Sequence, residues 1–285
     1  MVNRTSDGST LEIGVLAPGG FADSAAQDAF CKSSTCTISR LFDQSPRGNH
    51  LDTAPGGPFY AHSPDAGVNA SRSKLSVGGH PVYAAYFEGK MGYRNDATSG
   101  VAVGDEPESI YMVTAADHFN DKCCFDFGNA ETNVRDDGAG TMETVYFGTS
   151  SGGLFPIHKG AGDGPWVMTD VENGLWAGND EITVTNEPFP SDTVFITAIV
   201  KGRPGEYALK GGDAQSGPLK TLFQGARGWR YRTMKKQGAI ILGIGGDNSN
   251  AGVGTFLEGV MTAGWSSDAT DEAVHANIIA AGYGA

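Results

Sequence analysis

Apolar and polar positions alternate along this chain in short runs, and the runs are separated by glycine, proline, asparagine and aspartate. The clearest run is Trp166-Val-Met-Thr-Asp-Val-Glu172. Read as a strand, its period of two sends Trp166, Met168, Asp170 and Glu172 to one face. Val167, Thr169 and Val171 then point the other way, towards a core. Comparable runs predict strands at 11–15, 37–42, 81–87, 109–113, 142–147, 193–200, 207–210, 239–244 and 255–261. A short helix is expected at 25–31 behind Asp23 or Ser24. A second, with Ser267 or Asp268 as its cap, 273–281 as its body and Gly282 as its stop, should cover a sheet edge or end. Residues 51–65 are rich in Pro and Gly, yet Phe59, Tyr60 and His62 suit an ordered loop better than a solvated linker. With no linker and no internal repeat, the pattern predicts one all-β sandwich domain over 1–285.

Composition agrees with many tight turns, since 42 glycines are scattered through 285 residues without a period. The net charge of -13 excludes nucleic acid and anionic membranes as natural partners, because both need a basic face. No apolar run approaches the roughly 18 residues of a membrane helix, and the first residues lack the apolar centre of a signal peptide. Six histidines lie at 50, 62, 80, 118, 158 and 275 without metal-ligand spacing, and no serine sits in a nucleophile elbow. Neither a metal nor a cofactor is expected. The four cysteines allow three pairings. Bridges Cys31–Cys36 and Cys123–Cys124 would imply an oxidising compartment, whereas four thiols would fit the cytosol. A vicinal bridge would close across Cα atoms about 3.8 Å apart, below the usual span. Sequons at Asn3 and Asn69 agree with secretion.

Asp170 and Glu172 beside an aromatic ring are what a sugar site requires: carboxyl groups to act as nucleophile, acid or base, and a face to stack on. The plain alternative is an acidic solvated face. A second acid, Asp247, follows an apolar run and the pair Gly245-Gly246. The glycines allow close backbone approach to a ligand, and the rim of a sheet suits a general acid. An Asx turn formed by Asp247 and Asn248 is the competing reading. A calcium loop at 247–250 lacks the bidentate Glu it would need.

Longer blocks carry a family resemblance: Ala25-Ala-Gln-Asp-Ala-Phe-Cys31, Gly48-Asn-His-Leu51, Gly92-Tyr-Arg-Asn95, Cys123-Cys-Phe-Asp-Phe-Gly-Asn-Ala-Glu-Thr-Asn133, Asp170-Val-Glu-Asn-Gly174, and Gly238 through Asn250. From about Val15 to Tyr283 the chain resembles the catalytic domain of fungal-type α-L-arabinofuranosidase B, glycoside hydrolase family 54. The resemblance implies a lectin-like antiparallel β-sandwich and a secreted, retaining, exo-acting enzyme that releases terminal arabinofuranose from arabinan or arabinoxylan side chains. It implies Glu172 as nucleophile and Asp247 as acid/base. Asp170, Asn173 and the backbone of Gly246 would hold the furanose hydroxyls, and bridged Cys123 and Cys124 would form a platform beneath the sugar.

Two departures from the family pattern stand out. The loop at 148–158 lacks the Trp that packs on the sugar, and Phe155 is the expected replacement wall. The family domain also begins earlier, with another cysteine pair, and is followed by an arabinose-binding β-trefoil. Neither appears in this sequence, so small glycosides should be better substrates than polymers. The expected partner is an arabinofuranose-containing plant saccharide, acted on by a monomer. The alternatives are a non-catalytic glycan-binding module on the same scaffold, or another exo-glycosidase such as a β-xylosidase or galactofuranosidase.

Overall fold

Val167 leaves one side of its strand together with Phe127, Val145, Phe147 and Leu242 from neighbouring strands, and these side chains build half of the main core. The other half comes from Phe87, Ile110, Met112, Ile196, Val200 and Leu209. Each such side chain contributes about 1.5–3 kcal/mol when fully buried, which is what presses the two layers together. The structure is a computed structural model that describes residues 1–58, 62–150, 158–179 and 182–285.

One layer is an eight-stranded antiparallel sheet in the order Leu175–Trp176, Trp166–Asp170, Glu143–Gly148, Asp126–Ala130, Ala239–Leu242, Tyr93–Asn95, Leu51–Thr53, Arg40–Leu41. The other has seven strands in the order Lys220–Ala226, Glu206–Asp213, Phe195–Arg203, Glu108–Ala115, Gly254–Ala263, His80–Phe87, Ser73–Val77. The architecture is therefore the expected all-β sandwich.

Several boundaries differ from the sequence reading. The alternating run ends as a strand at Asp170, two residues before Glu172. Strand pairing near the amino end reaches only Thr10–Leu11, in a small sheet with Val2–Arg4 and Cys36–Ile38. Ser73–Val77, Asp126–Ala130 and Lys220–Ala226 are strands that alternation did not reveal. In Asp126–Ala130 every residue is buried on both faces, so no polar side marks the period.

The helix Ser24–Phe30 is capped by Asp23, whose carboxylate accepts from the amide of Ala26 at 2.9 Å. The last helix, Asp268–Ala281, starts five residues before its expected body because Ser267 accepts from Thr270 N at 3.1 Å. It stops where Gly282 turns left-handed at φ 74°. Its buried residue Ile278 packs with Val113, Ala115 and Phe195, so it covers the outer face of the seven-stranded sheet and not an edge or end. Buried Lys201 fixes it there through Asp271 at 2.6 Å, and Lys210 reaches the same carboxylate at 2.7 Å. Removing that carboxylate leaves two buried ammonium groups short of charge. Asp271→Ala should lower the unfolding free energy by about 3–5 kcal/mol, read from urea titration, without changing the acid cluster described below.

Candidate active site

The outward face of the eight-stranded sheet carries the acids, and the strand Trp166–Asp170 delivers the first. Asp170 sits opposite Leu175 across a hairpin whose turn is Val171-Glu172-Asn173-Gly174, closed by Val171 N donating to Gly174 O at 3.0 Å. Glu172 and Asn173 both have φ of 58°. Two successive left-handed residues match the twist of a tight hairpin, but a glutamate adopts that region rarely and needs support. Support comes from three bonds. Glu172 N donates to Asp170 Oδ1 at 3.1 Å, Tyr231 OH donates to Asn173 O at 2.8 Å, and Asn173 Nδ2 donates to Asp136 Oδ1 at 2.8 Å. Glu172 is thus held beside Asp170 by a turn and not by strand periodicity.

Trp166 and Met168 do share the face of Asp170, but they are buried under Tyr146, Ala177 and Leu175. The indole donates to Ala161 O at 2.7 Å. Neither side chain offers an open stacking surface. Phe155, the expected replacement wall, lies outside the described residues.

Asp247 arrives from a second turn. Beyond the strand Ala239–Leu242, Asp247 Oδ1 accepts from Ser249 N at 2.8 Å, and Asn248, at φ 69°, donates its amide to Gly245 O at 3.0 Å. The Asx turn therefore forms, and the carboxyl still joins the acid cluster. At Gly246 a Cβ would collide with Glu131 Oε2 and lie 3.3 Å from Glu172 Oε2, so only glycine fits. The third wall is the pair Cys123 and Cys124, joined as a disulfide across a cis peptide that brings their Cα atoms to 2.9 Å. Cys124 Sγ lies 3.5 Å from Asp170 Oδ2, and Ser249 Oγ lies 3.5 Å from Cys123 Sγ. Cys31 and Cys36 form the other disulfide, with Cα atoms 5.8 Å apart.

Three residues that sequence reasoning missed complete the site. Arg94 is buried, and its guanidinium donates to Gly246 O at 3.0 Å, Asn248 Oδ1 at 3.1 Å, Glu131 O at 2.7 Å, Asn133 O at 2.8 Å and Asp96 Oδ1 at 2.7 Å. Glu131 and Asp126, both fully buried, stand behind Glu172 and Asp170. The only sequence signal for them was membership of the blocks that carried the family resemblance.

Burial dominates the electrostatics. It raises Asp170 to about 7, with the charges of Asp247 and Glu131 adding to the effect while the amide of Glu172 opposes it. It raises Glu131 to about 7 against the bond from Thr141. Glu172 is pushed well above the usual carboxylate range by burial and then by Glu131, Asp170 and Asp247. Asp126 is raised by burial and by Asp170. So many acids in one pocket cannot all ionise, and at neutral pH they share protons.

Among the described residues the one tight metal-like group is Cys123, Cys124 and Asp170, but sulfurs joined to each other leave a single carboxylate, which is no metal centre. A cavity of about 800 Å³ opens between the two sheets beside Phe42, Tyr111, Phe127 and Phe256, and none of the clustered acids lines it. Volume there is not matched by convergent chemistry, so the acid cluster is the candidate active site.

A family model described as "Alpha-L-arabinofuranosidase B, catalytic" matches residues 1–284. The chain belongs to that family. A protein of Aspergillus fumigatus named probable alpha-L-arabinofuranosidase B is 48% identical over 99% of this chain and 56% of its own length. A Trichoderma koningii protein named arabinofuranosidase/B-xylosidase is equally similar, at 48%. Among solved structures, an arabinofuranosidase complexed with arabinofuranosyl-alpha-1,2-xylobiose superposes with a TM-score of 0.93 at 45% identity, covering 99% of this chain and 58% of the other. A glutamate-to-glutamine variant of a GH54 α-L-arabinofuranosidase, soaked with 4-nitrophenyl α-L-arabinofuranoside, superposes with the same TM-score, covering 99% of this chain and 59% of that one. The chain spans somewhat more than half the length of the curated family members it matches.

The shared protons have a consequence for stability. Asp170 and Glu131 bind protons more tightly when folded than at their ordinary values of 3.8 and 4.5. Their stabilising contribution is complete below those values and is lost as pH rises through about 7. The urea midpoint should therefore fall as pH rises from about 4.5 to about 7.5, and a midpoint that rises over that interval would contradict the shared-proton cluster.

Proposed function

We propose that this chain is the catalytic domain of a retaining, exo-acting α-L-arabinofuranosidase. The observation that carries the reading is the convergence of Glu172 and Asp247, borne on two separate turns, with Asp170 against the Cys123–Cys124 disulfide. Family membership supports the same reading.

In this mechanism Glu172 attacks the anomeric carbon, and the electron pair of the glycosidic bond leaves with the oxygen of the departing group. Asp247 protonates that oxygen. Its Oδ1 accepts from Ser249 N, so the transferred proton is assigned to Oδ2. Water, deprotonated by Asp247, then displaces Glu172 from the sugar with a second inversion. Retention follows from two inversions and calls for carboxyl groups about 5–5.5 Å apart. Asp170, Asn173 and the backbone at Gly246 would hold the ring hydroxyls, and the disulfide would form the floor. Sulfur offers a flat, polarizable surface to the C–H face of a furanose.

The substrate would be the terminal arabinofuranose of a plant saccharide, met in an extracellular, oxidising setting; the two disulfides support that placement. One comparison favours a second activity: the Trichoderma koningii relative also carries β-xylosidase in its name. Aryl arabinofuranoside, xyloside and galactofuranoside should be compared side by side, with the arabinofuranoside expected to turn over fastest. Saccharide binding without release of sugar would instead point to a non-catalytic module. Glu172→Gln keeps the side chain's shape and removes its nucleophilicity. It should lower kcat on 4-nitrophenyl α-L-arabinofuranoside by at least about a thousandfold while leaving the thermal midpoint near that of the parent. Turnover near the parent rate would remove Glu172 from the role.

A further inference from the structure

The proposed mechanism gives Glu131 no task, yet Glu131 is fully buried and aimed at the proposed nucleophile. It follows the strand Asp126–Ala130, and its carbonyl is held by Arg94 Nη2 at 2.7 Å, so the side chain springs from a fixed point. Its two oxygens have different surroundings. Oε1 lies 2.5 Å from the hydroxyl of Thr141, which also stands 2.6 Å from Gly138 O. Oε2 finds no hydrogen-bond donor among the described residues while both glutamates are ionised. It borders, with Glu172 Oε2, the space that a Cβ on Gly246 would occupy, the position at which no side chain fits.

Two carboxylates facing each other repel and have nothing to donate. One proton between them turns the contact into a short charge-assisted hydrogen bond and satisfies both oxygens. Oε2 of each glutamate borders the same space beside Gly246, and after burial Glu131 is the largest contributor to the rise of Glu172, as a close like-charged neighbour must be. A proton on Oε1 would serve only Thr141, so Oε2 is the place from which one proton satisfies both glutamates. A nucleophile must be anionic, so in the working enzyme the proton belongs on Glu131.

We propose that Glu131 is a positioning residue that carries a proton on Oε2 and donates it in a hydrogen bond to Glu172, holding the nucleophile as an oriented carboxylate. The inference rests on Glu172 being the nucleophile. Around this pair stand Asp170, Asp247 and Asp136, all acidic, while the nearby cation, Arg94, is spent on main-chain carbonyls, Asn248 and Asp96. The proton of Asp247 is committed to the leaving group in the proposed mechanism, Asp170 accepts from the amide of Glu172, and Asp136 accepts from Asn173.

The test is the pH dependence of kcat/KM on 4-nitrophenyl α-L-arabinofuranoside for the parent chain, Glu131→Gln, Glu131→Ala and Glu172→Gln, with thermal unfolding recorded for each. An amide at 131 keeps the donor and cannot ionise. Glu131→Gln should stay within roughly threefold of the parent at its optimum, with the acidic limb displaced downward by about one pH unit. Glu131→Ala, lacking the donor, should lose at least about tenfold in kcat/KM, the scale of one hydrogen bond to a charged group, and its acidic limb should lie above that of the glutamine variant. Equal losses in the glutamine and alanine variants with unmoved limbs would reduce Glu131 to a packing residue and overturn the proposal. A glutamine variant as inactive as Glu172→Gln would mean that Glu131 works ionised, which also overturns it. An alanine variant indistinguishable from the parent would do the same. An active Glu172→Gln would instead sink the nucleophile assignment itself.

Discussion

Every N–H of the Arg94 guanidinium is engaged, and four of its five bonds go to the segments that carry Glu131 and Asp247. A buried cation that donates mainly to carbonyl oxygens neutralises little of the local acid charge. What it does is fix geometry. Gly246 and Asn248 on one side, and Glu131 and Asn133 on the other, are drawn to the same planar group, so the two segments cannot slide independently. The acids of the site therefore meet at a separation set by one rigid fork, with lysine unable to reproduce the five directed donors.

That assembly gathers more carboxyl groups than water would tolerate. Burial and mutual repulsion raise Glu172, Asp170, Glu131 and Asp126 together, and the site responds by keeping protons. The same crowding that weakens the fold as pH rises acts on Glu172 most of all, so keeping it anionic takes a neighbour that holds the proton in its place. The wall formed by Cys123 and Cys124 fits this economy, since it is uncharged, close to Asp170 and free of donors that would compete for its carboxylate. The left-handed turn at Glu172 and Asn173 is the second local cost, and it is held by Asp170, Tyr231 and Asp136.

The sandwich was legible because strands such as Trp166–Asp170 bury one face in the core and so alternate visibly. The last helix was legible from Ser267 and Gly282, whose capping roles depend on local chemistry alone. Asp126–Ala130 was not. Asp, Gly and Asn read as turn residues, and burial on both faces erased the period. Glu172 was expected on the right surface for the wrong reason: extending the strand by two residues aligned it with Asp170, whereas the chain brings it there through a left-handed turn that glutamate does not advertise. Asp247 was weighed between an Asx turn and a functional acid; the turn forms through Oδ1, and the carboxyl lies beside Asp170 and Glu172. Arg94 and Glu131 act through long-range contacts with Gly246, Asn248 and Glu172, which no local pattern encodes. The family blocks named the region, and only the fold joined its parts.

The central claim is that Glu172 forms the covalent bond to the sugar, and trapping that bond tests it most directly. The protein would be treated with an electrophilic, arabinofuranose-configured inactivator, digested, and mapped by mass spectrometry. A single adduct on Glu172, absent when arabinose-containing substrate is present in excess, is the predicted result. An adduct on Asp170, Glu131 or Asp247 in its place would contradict the account.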